Sequence, residues 1–378
     1  MELKIGILLP KSDMFPRLAI DFLNGFKLSF NQSVDQNCVP KFIIESVGNA
    51  TDSSLLQRVE RMLLQEETDV IVCFCSYFML DSLVTVANSY RKPIVHVTLG
   101  ARVLKPTHCS PYVLHVSLNL CQTSYLSGKY AAQHFGKKAA LLSSFYDGGY
   151  QLSESFFQGF TDHQGEIVYN YVSPMDYKSE TFDGMIEGLQ QNKPDVLFSV
   201  FSYKEGNKVL AKLAQSGLDS IPNVAIPLMT DESNETEVQL PENFYSIASW
   251  AFGEDAESMD DFNQNYQSKY AETPNIFSLL GDEVGAILSY CLQKEGSIPN
   301  QLGTYFSNKT LFTSRGELRF SQYNESIPHF FKLRKLEQTE GNYQNAVIEV
   351  LDSSFSEIIY KKMEDLPYTG WKNPYICT

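Results

Sequence analysis

Long apolar runs are missing from this 378-residue sequence: none reaches the roughly 18–20 residues that a membrane helix requires. Basic side chains are also scarce. Lysine and arginine number 30 against 45 aspartates and glutamates, a net charge of −15, and they form no stripe or cluster. A phosphate-backbone partner is therefore excluded as the expectation, because nucleic-acid binding needs clustered cations; the acidity reads as solubility and self-repulsion. The six histidines (His96, His108, His115, His134, His163 and His329) have no metal-ligand spacing, so no metal is expected. Phosphate-loop, dinucleotide, nucleophile-elbow and H-E-x-x-H motifs are all missing; Gly128-Lys129 has Thr123 where a phosphate loop needs its first glycine. Nothing here warrants an enzyme or a cofactor. The seven cysteines are scattered, Cys73 and Cys75 being a C-x-C pair on one strand, and they read as small buried apolar residues.

What is present is a soluble globular composition, 43% hydrophobic with a mean hydropathy of −0.21. The length suits two to three domains. Short apolar runs alternate with longer amphipathic stretches. The pattern predicts strands over 5–9, 41–46, 69–75, 93–97 and 112–117, with helices over 16–31, 53–66 and 78–89 between them. Leu18, Phe22, Phe26 and Phe30 mark the inner face of the first helix, and Asp52 or Ser53 would cap the second. The alternation then restarts, with strands over 138–144, 166–172, 195–201 and 224–228 and helices over 154–162, 181–190 and 206–216. A strand over 244–250, helices over 254–270 and 277–293, and a β-rich end from Gly316 to Ile359 complete the chain. Two such blocks predict two Rossmann-like α/β lobes with parallel central sheets and right-handed crossovers. Because the chain returns from the second block to supply more elements, the lobes should be joined by a multi-crossing hinge.

In open parallel sheets, ligands bind beyond the C-terminal strand ends, where helix N-termini offer free N–H groups. Four strand ends stand out: Leu9-Pro10-Lys11-Ser12-Asp13-Met14-Phe15, Cys73-Phe74-Cys75-Ser76-Tyr77, Val97-Thr98-Leu99-Gly100-Ala101-Arg102, and Ser144-Phe145-Tyr146-Asp147-Gly148-Gly149-Tyr150.

In their order and spacing these segments resemble the type I periplasmic binding proteins, specifically the leucine/isoleucine/valine-binding branch of the ABC-transporter solute receptors. Ile5-Gly6-Ile7-Leu8-Leu9-Pro10 with Gly25-Phe26-Lys27-Leu28 is similar to the family's opening. Val70-Ile71-Val72-Cys73-Phe74-Cys75-Ser76, Pro93-Ile94-Val95-His96-Val97-Thr98, Gly149 with Gly159-Phe160, and Gly316-Glu317-Leu318-Arg319-Phe320-Ser321 are similar to its later motifs. The resemblance implies a venus-flytrap with an N-terminal lobe of residues 1–118 plus 252–327 and a C-terminal lobe of 119–251 plus 328–378. It implies a small-molecule ligand (an amino acid or small carboxylate), a membrane permease as partner, a monomer, no cofactor and no turnover. Carried over by position, the first lobe would grip a carboxylate through Ser76, Tyr77, Thr98, Gly100 and Ala101, with Phe15 closing over the pocket. The second lobe would add Tyr146, Tyr150, Ser202 and Tyr203, with Asp231 and Glu232 for an ammonium. Arg102 departs from the family's small hydroxyl residue and either points to solvent or reads a second acidic group. The family's first-lobe disulfide is not reproduced, since Cys75 has no partner near residues 49–52.

Plainer readings stand beside these. Ser76 can serve as a helix cap, Tyr146 and Tyr150 as packing residues, and Asp231-Glu232-Ser233-Asn234-Glu235 as a solvated loop. His96 reads as a core histidine, and Trp250 as core or hinge. Met1 leads straight into a strand without a leader. The resemblance implies a periplasmic location with the leader outside this chain; a native start at Met1 would instead give a cytoplasmic sensor of the same fold. An α/β enzyme with an unrecognised site is the remaining alternative.

Overall fold

The fold was obtained as a computed structural model that describes residues 2–33, 39–48, 52–233, 238, 240–254, 256–339 and 342–366. The chain begins with β1 (Glu2–Leu9), α1 (Leu18–Ser33), β2 (Val39–Ser46), α2 (Asp52–Leu64), β3 (Val70–Phe74), α3 (Leu80–Tyr90), β4 (Ile94–Thr98) and β5 (Val113–Ser117). These strands pair in parallel, in the order β2-β1-β3-β4-β5. β3 is buried along its whole length, as an apolar run between two helical layers must be.

A second series follows: α4 (Leu120–His134), β6 (Lys138–Ser143), α5 (Leu152–Thr161), β7 (Glu166–Val172), α6 (Asp183–Asn192), β8 (Val196–Val200), α7 (Tyr203–Gln215), β9 (Asn223–Ala225) and β10 (Phe244–Ala248). The chain continues through α8 (Glu257–Tyr270), α9 (Ile276–Glu295), α10 (Leu302–Phe306), β11 (Leu311–Thr313), β12 (Gly316–Phe320), β13 (Ser326–Pro328), β14 (Phe330–Thr339), β15 (Asn342–Asp352) and α11 (Ser356–Met363). The second sheet has the order β15-β14-β10-β9-β8-β6-β7. Its interior is parallel, and the β14–β15 hairpin closes one side in antiparallel pairing. Strands β11–β13 form a small separate sheet.

Glycines let one helix pair in each half approach closely. A Cβ added at Gly281 of α9 would lie 2.0 Å from the Phe22 carbonyl oxygen of α1, and one at Gly25 would lie 1.8 Å from the Ser278 carbonyl oxygen. In the second half, a Cβ at Gly159 of α5 would lie 1.9 Å from the Tyr125 carbonyl oxygen of α4.

The chain crosses between the two sheets after β5, after β10 and between β13 and β14. A buried network ties these crossings together. Arg315 donates to both carboxylate oxygens of Glu283, each at 2.6 Å, and to Ser249 Oγ at 2.8 Å. Ser249 Oγ donates to the Leu118 carbonyl, Ser326 Oγ to Glu283, and Asn119 Nδ2 to the Ser326 carbonyl. Trp250 is fully buried beside them, its ring 5.0 Å from the Arg334 guanidinium, so it is a core residue at a crossing.

Three sequence expectations need correction. Helix α4 was not anticipated: it is buried on nearly every side from Leu120 to Gly128, and the buried Gln122, Thr123, Ser124, Ser127 and Gly128 break up the apolar stripe that Leu120, Tyr125 and Leu126 would otherwise suggest. The strand expected over 224–228 stops at Ala225, ahead of Pro227, which has no N–H for a ladder. The β-rich end gives way to α11, which contains Ile359. Cys73, Cys75, Cys109, Cys121 and Cys291 are free thiols, all but Cys109 buried. Cys38, Cys377 and the cap of α2 lie outside the described residues.

Candidate functional site

The strand ends singled out in the sequence supply two different surfaces between the sheets. Beyond β1, Ser12 Oγ accepts from the Phe15 N–H at 3.0 Å, and this turn presents the Phe15 ring. That ring meets Phe277, at the start of α9, edge-on at 5.1 Å and lies 6.4 Å from Tyr203, at the start of α7. Phe15, Tyr203, Asp231 and Glu232 thus line one cleft of about 710 Å³, together with Arg17, Asp21, Glu272, Asn275 and Phe277. The volume is in the usual range for a small-molecule site.

Asp231 and Glu232 are not a solvated loop. Asp231 is buried, and its Oδ1 accepts from the Ser233 N–H at 2.9 Å. Glu232 Oε2 accepts from Asn345 Nδ2 at 2.5 Å, whereas its Oε1 is buried with no hydrogen-bond partner among the described residues. Burial raises both carboxyls above their ordinary range, and the buried Arg334 behind them opposes that shift. On the opposite wall Arg17 is shared between Asp21 at 3.2 Å and Glu272 at 2.5 Å. Asp21 also accepts from Asn275 Nδ2 at 2.8 Å, yet burial still raises its pKa. Arg17, Asp21, Glu272 and Phe277 were missed in the sequence. Arg17 and Glu272 are 255 positions apart, and no local pattern links them.

The second surface is a direct contact between the halves. Ser76 is 1% exposed, and its Oγ accepts from the Phe78 N–H at 3.2 Å, capping a 3₁₀ turn that leads into α3. Tyr77 is buried, its ring edge-on to His108 at 4.7 Å. Gly100 adopts φ +77°, where a Cβ would also lie 2.3 Å from Ser117 Oγ. Its N–H donates to Thr98 Oγ1 within the turn, and its carbonyl accepts from the Cys121 N–H at the start of α4, so both are already taken up. The Ala101 carbonyl accepts from the Gln151 N–H at 3.1 Å, and Gln151 Oε1 accepts from the Val103 N–H at 3.1 Å. Arg102 does not point to solvent. It is 5% exposed, with its guanidinium 4.8 Å from the Phe78 ring centre and 5.7 Å from that of Tyr150. Stacking between two aromatic rings explains how an arginine is held there. Tyr150 is buried, while Tyr146 is half-buried and edge-on to Phe145. Ser202 is the N-cap residue of α7 and makes no side-chain cap bond. His96 belongs to the first sheet's interior, its Nδ1 3.1 Å from His115 Nδ1, and burial lowers its pKa to about 4.

Two α/β units that meet at their strand ends around an aromatic and acidic cleft define a binding protein of the flytrap type. A family model described as "Periplasmic binding protein" matches residues 2–302, and the chain belongs to that family. Solved structures share the fold. An ABC transporter substrate-binding protein from Sphaerobacter thermophilus is 19% identical, with a TM-score of 0.81 over 93% of this chain and 98% of that one. A Rhodopseudomonas palustris solute-binding protein in complex with benzoate is 19% identical, with a TM-score of 0.74 over 92% and 96%. A branched-chain amino acid transporter substrate-binding protein from Streptococcus pneumoniae, in complex with isoleucine, is 13% identical, with a TM-score of 0.69 over 92% and 100%. No curated protein sequence matches the chain significantly.

Proposed function

We propose that this chain is the solute-binding receptor of an ABC importer, acting by binding rather than turnover. Its two lobes, residues 1–118 plus 252–327 and residues 119–251 plus 328–378, close on a small polar molecule. Packing supports that division: α8 and α9 lie on α1, while α11 lies on α4 and α5. The observation that carries the reading is the cleft in which Phe15 and Phe277 meet Tyr203, Asp231 and Glu232 from the other side. A molecule held there touches both lobes only when they are shut, so its binding populates the closed state. The closed shape is what a membrane permease would recognise, and the receptor works as a monomer outside the cytoplasm.

The ligand is an amino acid or a related carboxylate. Solved relatives hold isoleucine or benzoate. The cleft carboxylates, Asp231 and Glu232 among them, favour a ligand with an ammonium group over a plain aromatic acid. A thermal-shift and calorimetric panel of amino acids, benzoate and 4-hydroxybenzoate tests the reading. A ligand at 100 times its dissociation constant should stabilise the fold by about 2.7 kcal/mol. Turnover of any bound compound, or no stabilisation by any of them, would contradict it.

A further inference from the structure

We infer that the ligand of this cleft carries a net positive charge, as a basic amino acid does; this rests on the receptor reading above and narrows it. The first support is the charge lining the cleft. Four carboxylates (Asp21, Asp231, Glu232 and Glu272) face it, against the single guanidinium of Arg17. Arg17 is already divided between Asp21 and Glu272. Arg334 sits buried behind Asp231 and Glu232, its guanidinium committed to Thr230, Ser246 and the Trp250 carbonyl. Each wall therefore keeps one carboxylate more than its own cation offsets.

The second support is independent of that count. Glu232 Oε1 is buried with no hydrogen-bond partner among the described residues, although its sister oxygen is bonded to Asn345. An unsatisfied buried carboxylate oxygen is costly, and a cationic donor relieves that cost while keeping the carboxylate ionised. The third support is the aromatic lining. The Phe15 ring lies 5.1 Å from that of Phe277 and 6.4 Å from that of Tyr203, centre to centre. Ring faces beside carboxylates attract alkylammonium and guanidinium groups, and the same faces cover their methylene stems. A ligand of net negative charge, such as benzoate, would meet repulsion from both walls.

The test is isothermal calorimetry on the full chain with lysine, arginine and putrescine against leucine and benzoate, at low and high salt. The cations should bind most tightly, with affinity falling as salt rises. Glu232→Gln and Glu272→Gln should each weaken cation binding by roughly tenfold, the size of one charge-assisted hydrogen bond. Arg17→Ala should strengthen it, a change of opposite sign that loss of structure would not produce. Glu272 is exposed, so its variant reports on charge even if Glu232→Gln folds poorly. Tightest binding by leucine or benzoate would overturn the positive-charge inference and leave the receptor reading standing. Binding of none of the five would overturn both.

Discussion

Glu325 is fully buried beside the hinge crossings, accepting from Gln122 Nε2 at 3.0 Å and from the Tyr360 hydroxyl, and its pKa is pushed up to about 7 by burial. An unfolded glutamate titrates near pH ~4.3, so the folded protein holds a proton that the unfolded chain has lost between the two values. The raised folded value means that this contribution to stability is complete below pH ~4.3 and lost as pH rises through about 7. Glu325→Gln, which cannot ionise, should therefore gain stability relative to the parent between pH 5 and 7, as read by urea unfolding across that interval. An unchanged difference across it would show that Glu325 is not the group responsible. At the same scale, four of the thirteen residues singled out in the sequence, Phe15, Tyr203, Asp231 and Glu232, line the cleft, and the other nine lie elsewhere. Arg102 was legible as unusual but not as buried, because its burial depends on Phe78 and Tyr150, which converge only in the fold.

Helix contacts set the next scale. Gly281 allows α9 to cross α1 at backbone distance, so Gly281→Ala must push the helices apart. Overpacking of that kind costs about 1–3 kcal/mol and exceeds the ~1 kcal/mol that alanine gains over glycine in a helix. Gly184 in α6 supplies the control, since an added Cβ there meets nothing within 4 Å. Gly184→Ala should stabilise by about 0.5–1 kcal/mol, and chemical denaturation should give the two variants opposite signs. Elements with one apolar stripe, such as α1, were readable from periodicity. Helix α4 was not, because buried polar positions interrupt its apolar residues and Gly128 serves close backbone contact with α5.

For the whole molecule, the Arg315–Glu283 pair is the joint that holds the crossings in register. Arg315→Ala would leave Glu283 buried without its cation, and such losses cost about 3–5 kcal/mol. The expected outcome is a large drop in the denaturant midpoint; an exposed-pair value below ~1 kcal/mol would mean the crossings are held by other contacts. The two-lobe architecture was legible because strand and helix periods alternate twice. The charges that meet across the cleft were not, since Arg17 and Glu272 become neighbours only when α8 and α9 return to the first sheet. The central claim, closure of two lobes on a small molecule, is tested most directly by small-angle X-ray scattering with and without saturating lysine, arginine, leucine or benzoate. The account predicts a smaller radius of gyration with whichever compound binds in calorimetry. A bound compound that leaves the scattering curve unchanged would contradict it.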